Sequence, residues 1–178
     1  LQTSAEDLSS RILSIIASGL AAENCSLMLL DEEARRLIPR AACSPMESTP
    51  KISQHSAGRS FRLGEGVVGK VAQTGEPARI EDVLECDDFL VLADSPIAVR
   101  SLLCFPLSVN NRTTGVLNLS HSEPGFFSAD SEHILGLIAE RSARIFRNHF
   151  LRQRVSETET HHRLVTENAS DGILVLSN

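Results

Sequence analysis

The chain has 178 residues, 42% of them hydrophobic and 22% charged, with a net charge of −6 and a sequence pI near 5.5. That leaves room for one well-buried core and a remainder, but not for two full domains of ordinary size. Seven Phe with neither Trp nor Tyr, on an acidic chain, argue against nucleic acid as a partner, since both stacking platforms and a surplus of Lys and Arg are lacking.

Ser4-Ala5-Glu6-Asp7 has the form of a helix start. Leu8, Ile12, Ile15, Ile16 and Leu20 then recur at helical spacing until Gly19 and Glu23-Asn24 end the pattern, which predicts an amphipathic helix. Cys25 to Leu30, a turn at Asp31-Glu32-Glu33, and Leu37 to Cys43 read as a hairpin. Residues 44–60 hold five Ser, two Pro, one Thr and one Gly without periodicity, so a long loop is expected there. A short helix over Val67 to Thr74, stopped by Gly75-Glu76-Pro77, precedes a brief strand at Ala78-Arg79-Ile80. The acidic stretch from Asp82 to Ile97 reads as one or two irregular helical turns around Phe89-Leu90-Val91-Leu92. A second hairpin runs from Ser101 to Val109 and from Thr114 to His121, turning at Asn110-Asn111-Arg112, where Asn tolerates positive φ. Ser128 caps a long helix whose apolar face comprises Ile134, Leu135, Leu137, Ile138, Ile145, Phe146 and Phe150. A polar helical rod follows, and 164–176 sketch a helix end and a strand.

Two hairpins with helices before, between and after them predict an α+β fold on a central antiparallel sheet. The four cysteines, Cys25, Cys43, Cys86 and Cys104, never approach the C-x-x-C spacing of zinc knuckles or redox dithiols and read as small buried thiols. No run of about 18 apolar residues and no basic-then-apolar leader is present, so a cytoplasmic fragment without membrane contact is expected. The chain starts at Leu1, which reads as a piece of a longer parent, with membrane anchoring of that parent left open.

The segment Gly64-Glu65-Gly66-Val67-Val68-Gly69-Lys70 through Thr74-Gly75-Glu76-Pro77-Ala78-Arg79-Ile80-Glu81-Asp82-Val83 resembles the central signature of a GAF domain. Arg100-Ser101-Leu102-Leu103-Cys104-Phe105-Pro106-Leu107, then Gly115-Val116-Leu117-Asn118-Leu119 and a Phe-Ser-x-x-Asp helix start, continue the likeness in the family's order. It covers residues 4–151 and implies a sheet of about six strands with long N- and C-terminal helices packed together. Residues 163–176 resemble the opening of a PAS domain. The expected division is a GAF domain over 1–151, a connecting signalling helix over 152–163 and a truncated PAS start over 164–178.

Gly64-x-Gly66-x-x-Gly69 matches the dinucleotide fingerprint literally, with Glu85 at the distance of a ribose-binding acid. No buried strand precedes it and the following helix stops too soon for a βαβ crossover, so the glycines read as turn and close-packing positions. Against the pattern of cyclic-nucleotide-binding GAF domains, Ser120-His121 replaces the Asn-Lys pair, and one acid survives at Asp130 or Glu132, counted from Phe126 or Phe127. The Cys-His pair of bilin-binding relatives is missing. Ala93-Asp94 stands where the free methionine sulfoxide reductases carry a Cys-Asp step, so no catalytic residue and no metal site is expected. His161 and His162 lack the context of a phosphoacceptor box.

The resemblance implies a non-catalytic sensory and dimerisation module of a bacterial signalling protein, with a sensor histidine kinase as the parent enzyme. A small-molecule pocket is expected to be lined by Arg62, Phe89, Arg100, Ser101, Cys104 and His121; its ligand and any cofactor are unknown from the sequence. A homodimer through the terminal helices would pass the signal onward. The alternatives are a structural dimerisation spacer with a filled pocket, and the input domain of a cyclic-di-nucleotide synthase or phosphodiesterase.

Overall fold

A computed structural model describes residues 5–44, 60–90 and 98–148, with side chains from residue 9 onward. The chain separates into two compact units, Leu1–Arg144 and Ile145–Asn178. Of the second, residues 145–148 are described and are helical. The connecting helix, the PAS-like tail and most of the Ser-rich loop lie outside the described residues.

In the first unit, α1 (Ala5–Gly19) leads into β1 (Asn24–Asp31) and β2 (Arg36–Cys43), then β3 (Phe61–Arg62), α2 (Gly66–Thr74), β4 (Ala78–Ile80), a single 3₁₀ turn at Val83–Glu85, β5 (Ser101–Val109) and β6 (Arg112–His121). Helix α3 begins at 129. The strands form one antiparallel sheet in the order β3-β2-β1-β6-β5-β4. The α+β architecture expected from the two hairpins is therefore present, with β1 and β6 at its centre.

Local chemistry explains the turns. Asp31 Oδ1 accepts the backbone N–H groups of Glu33 and Ala34, each at 3.1 Å, which closes the first hairpin. Asn110 and Asn111 both take positive φ, 53° and 59°, as a two-residue hairpin turn matched to strand twist demands. Strand β6 therefore starts at Arg112, opposite Val109, two residues before the start read from the sequence. Gly64 and Gly66 take φ of +83° and +64°, and a Cβ on Gly69 would fall 2.3 Å from the Arg62 carbonyl oxygen. These are the turn and close-approach roles expected of the glycines.

Helix α1 differs from its reading in two respects. Its buried face is Leu13, Ile16, Ala17 and Leu20, whereas Ile15 is 73% exposed. Its end is set by Ala21, in the left-handed region at φ 51°, with Ala22 N–H donating to Ala17 O at 2.8 Å and Ala21 N–H to Ser18 O at 3.3 Å. Gly19, inside the last turn, is not the stop residue.

Strand alternation gives the sheet two distinct faces. On one, Met28, Leu102, Cys104 and Val116 pack with Val67, Val71 and Ala72 of α2. On the other, Leu27, Leu103, Leu117 and Leu119 are fully buried, α1 lies along β2 and β1, and Gly136 of α3 meets the ring of Phe105. Each such side chain contributes about 1.5–3 kcal/mol when taken out of water. Ser128 Oγ accepts the Ser131 N–H at 3.2 Å, as expected of a cap. Leu135, Ala139, Ser142 and Ala143 are buried, whereas Ile134 and Leu137 are half-exposed.

Candidate functional site

The α2 face changes character along its length. Under α2 the central strands present Met28 and Val116. One pair further along, Ser26 lies opposite Asn118, and Asn118 lies opposite Cys104 on β5. The next row is Asn24, Ser120 and Leu102, with Asn24 Nδ2 donating to Ser120 Oγ at 3.4 Å. The two central strands thus present hydroxyls and amides beside an apolar β5. The Oδ1 of Asn118 is buried and has no hydrogen-bond partner among the described residues. An acceptor in that state costs about 1–3 kcal/mol of lost solvation.

Strand geometry divides the six residues expected to line a pocket. Cys104 sits on the α2 face, fully buried, and burial alone pushes its thiol far above the usual range. Phe89 packs against the same cluster. Ser101 is three residues from Cys104 on one strand, and that odd spacing puts it on the opposite face with Leu103. It pairs there with His121. The His121 ring stacks on Phe126 with centroids 3.5 Å apart, its Nδ1 accepts the Glu123 N–H at 3.0 Å, and its Nε2 lies 3.7 Å from Glu23 Oε1. Glu23 also accepts from the Ser122 N–H and hydroxyl at 2.9 and 2.7 Å. His121 therefore sits between the end of β6 and Glu23 just before β1, with Nδ1 hydrogen-bonded and one ring face stacked.

Arg100 forms a two-point ion pair with Asp82, with Nε 3.0 Å from Oδ1 and the second contact from Nη2 to Oδ2. Asp82 Oδ1 also accepts the Leu84 N–H at 3.0 Å, capping the 3₁₀ turn. The Arg100 guanidinium, with that N–H, holds the Asp82 carboxyl below its ordinary range. Arg62 is exposed on the two-residue edge strand β3, where its N–H donates to Glu65 Oε2 at 2.7 Å. The structure thus brings Phe89 and Cys104 together, engages Arg100 and His121 in scaffold contacts, and sets Ser101 and His121 on the other face.

Ser26 and Asn118 are floor residues that were not among the expected lining, and Ser120 was weighed only as the counterpart of the Asn in a nucleotide-binding pair. Their signal was polar residues at alternate positions of strands otherwise read as core. Among the described residues no group of three His, Cys, Asp or Glu side chains is placed to hold a metal ion. No described helix is long and apolar enough to cross a membrane. On the opposite face, a shallow open groove of about 450 Å³ lies between Phe105 and the α3 residues Glu132, His133, Gly136 and Leu137.

The chain is 22% identical to the GAF domain of an Acinetobacter phosphoenolpyruvate-protein phosphotransferase, with a TM-score of 0.70 over 85% of this chain and 87% of that one. A type II free methionine-R-sulfoxide reductase from Thermoplasma acidophilum shares the fold at 16% identity and a TM-score of 0.66, over 81% and 93% of the two chains. Among curated proteins, a probable 3′,5′-cyclic phosphodiesterase, pde-5, of Caenorhabditis elegans is 23% identical over 151 residues, 82% of this chain. This chain spans about a fifth, 21%, of that relative's length. The GAF domain family profile matches residues 2–147. With the six-stranded sheet and the glycine-rich approach to α2 already in place, the chain belongs to the GAF domain family.

Proposed function

We propose that this GAF domain is a non-catalytic sensory and dimerisation module, and that its ligand is an uncharged or weakly polar small molecule seated on the α2 face. The observation that carries this reading is the polar floor of Ser26, Asn118 and Ser120 beside Cys104, with a buried Asn118 acceptor that has no partner among the described residues. Phe89 and Cys104 supply apolar contact. Arg62 and Arg100 are rim residues in this proposal, and Ser101 and His121 couple the floor to the opposite face. The half-exposed Ile134 and Leu137 on α3, with the exposed Ile15 on α1, are the surfaces proposed to meet a second subunit.

The proposed parent is a cytoplasmic-facing sensor histidine kinase, with the GAF domain over 1–151, a connecting helix over 152–163 and a PAS start over 164–178. That reading rests on the sequence likeness of the tail, which lies outside the described residues. The similarity to a cyclic phosphodiesterase favours a second reading, the input domain of a phosphodiesterase. In either parent, a ligand that binds one helix packing more tightly than another by a few kcal/mol shifts the output.

The test is a thermal-shift screen of the whole chain and of Asn118→Leu with cyclic nucleotides, inorganic anions, amino acids and haem. The expected result is a compound that stabilises the wild type but not the variant, while the variant without ligand is itself more stable. Stabilisation by no compound, with a less stable variant, leaves the structural spacer as the correct reading.

A further inference from the structure

Cys25 and Cys43 lie directly opposite each other on the antiparallel strands β1 and β2. Opposed residues in such a ladder have Cα atoms about 4.5–5.5 Å apart, within the roughly 4.4–6.8 Å that a disulfide spans. Both are free thiols, 1% and 7% exposed, and they share the sheet face that carries Leu27 and α1. Their separation in sequence hides this, because a hairpin rather than a C-x-x-C turn brings them together. Cys104, by contrast, faces Ala78 and Asn118 across its two neighbouring strands.

We propose that Cys25 and Cys43 are an oxidisable dithiol that closes to a reversible cross-strand disulfide beneath α1, with a peroxide as the oxidant. The two thiols are not equivalent. Cys43 accepts a hydrogen bond from the Cys25 thiol, which holds it below the ordinary thiol range, whereas that bond and full burial raise Cys25. Cys43 is also the more exposed of the two and ends its strand. Its thiolate is the attacking group.

The Cys43 sulfur attacks one peroxide oxygen; the S–O bond forms, the O–O bond breaks, and the second oxygen leaves as hydroxide and takes up a proton as water. The Cys25 sulfur then attacks Cys43, the S–S bond forms and the S–O bond breaks, and the departing hydroxide takes the Cys25 proton. Two thiols and one peroxide become one disulfide and two waters, and the two electrons come from the sulfurs. A dithiol reductant reverses the change. The closed bond joins the entry of β1, just after α1, to the exit of β2, so peroxide would fix the strands on which α1 rests. This face is distinct from the polar floor, and the inference stands apart from any ligand there.

The experiment treats the reduced whole chain with graded hydrogen peroxide, blocks the remaining thiols by alkylation and maps the peptides by mass. The expected result is the loss of two of the four alkylatable thiols and a cross-linked peptide pair containing Cys25 and Cys43, lighter by two hydrogens and separated again by dithiothreitol. In Cys25→Ala, Cys43 is expected to accumulate as a sulfenic acid trapped by dimedone. Retention of all four thiols, or a link that joins Cys86 or Cys104 instead, overturns the proposal. The wild-type map alone decides if the variant does not fold.

Discussion

Replacing Gly69 by Ala tests how α2 is held against the turn that leads into it from β3. The added Cβ would lie 2.3 Å from the Arg62 carbonyl oxygen, and 3.2 and 3.3 Å from Gly64 N and C. All three are backbone atoms, and they are held: Gly64 N–H donates to Gly69 O at 2.8 Å, and Glu65 N–H to Arg62 O at 3.0 Å. No side-chain rotation relieves the contact, so the helix or the loop must move by most of an ångström. Overpacking costs about 1–3 kcal/mol and an approach this close to held backbone falls in the upper part, about 2–3 kcal/mol; Ala regains about 1 kcal/mol of helix propensity, leaving a net loss of roughly 1–2 kcal/mol. For a chain of this size that is a fall of about 2–8 °C in Tm. Gly19→Ala is the control. That site, exposed at the end of α1, has nothing within 4 Å of the new Cβ, so a gain of about 0.5–1 kcal/mol is expected. Because the substitution is the same, its effect on the unfolded chain is nearly the same, and the difference between the variants reports local geometry. Calorimetry and urea unfolding measure both. A Gly69→Ala chain as stable as Gly19→Ala would refute the close approach.

Ala21→Gly is expected to stabilise by about 0.5–1 kcal/mol, since Gly takes the left-handed conformation at that helix end without a Cβ penalty; an unchanged urea midpoint would count against the cap geometry. Asp82 has a folded pKa below its ordinary value of about 3.9, so its contribution is present above that pH and is lost as pH falls through the lowered folded value. Arg100→Gln should move the Asp82 titration, followed by carboxyl NMR, upward toward the ordinary value, and the stability difference from wild type should shrink at strongly acid pH. A titration that does not move places Arg100 elsewhere in solution. Leu137→Glu is expected to abolish the proposed dimer in sedimentation at micromolar concentration while leaving the circular dichroism spectrum of the folded chain unchanged, because Leu137 is half-exposed. A wild type that is monomeric at the same concentration removes this face as the contact.

Sequence periodicity captured the hairpins, α2 and the Ser128 cap, because each is set by nearby residues: the Asn pair, the glycines and a hydroxyl three residues before its N–H. It missed β3, since two residues carry no period and exist as a strand only through pairing with Arg36 and Leu37. The tilt of α1 was also out of reach. Ile12, Ile15 and Ile16 fit a helical stripe equally well, and only the sheet selects Ile16 with Leu13. The candidate site was half legible. That Ser101 and Cys104 cannot share a face follows from counting, but the engagement of His121 by Phe126 and Glu23 is a tertiary fact. The Cys25–Cys43 pairing needed the strand register.

The order β3-β2-β1-β6-β5-β4 also shapes how the domain assembles. Each long hairpin, β1 with β2 and β5 with β6, closes across a short turn and pays little loop entropy. They meet along one seam, β1 against β6, where Asn24 and Ser120 are 96 residues apart in sequence. Non-local pairing of this kind forms more slowly than a local hairpin. The polar floor straddles that seam, since Ser26 and Asn118 come from its two sides. A ligand bound there would hold the two hairpins together, and its most visible kinetic effect would be slower unfolding.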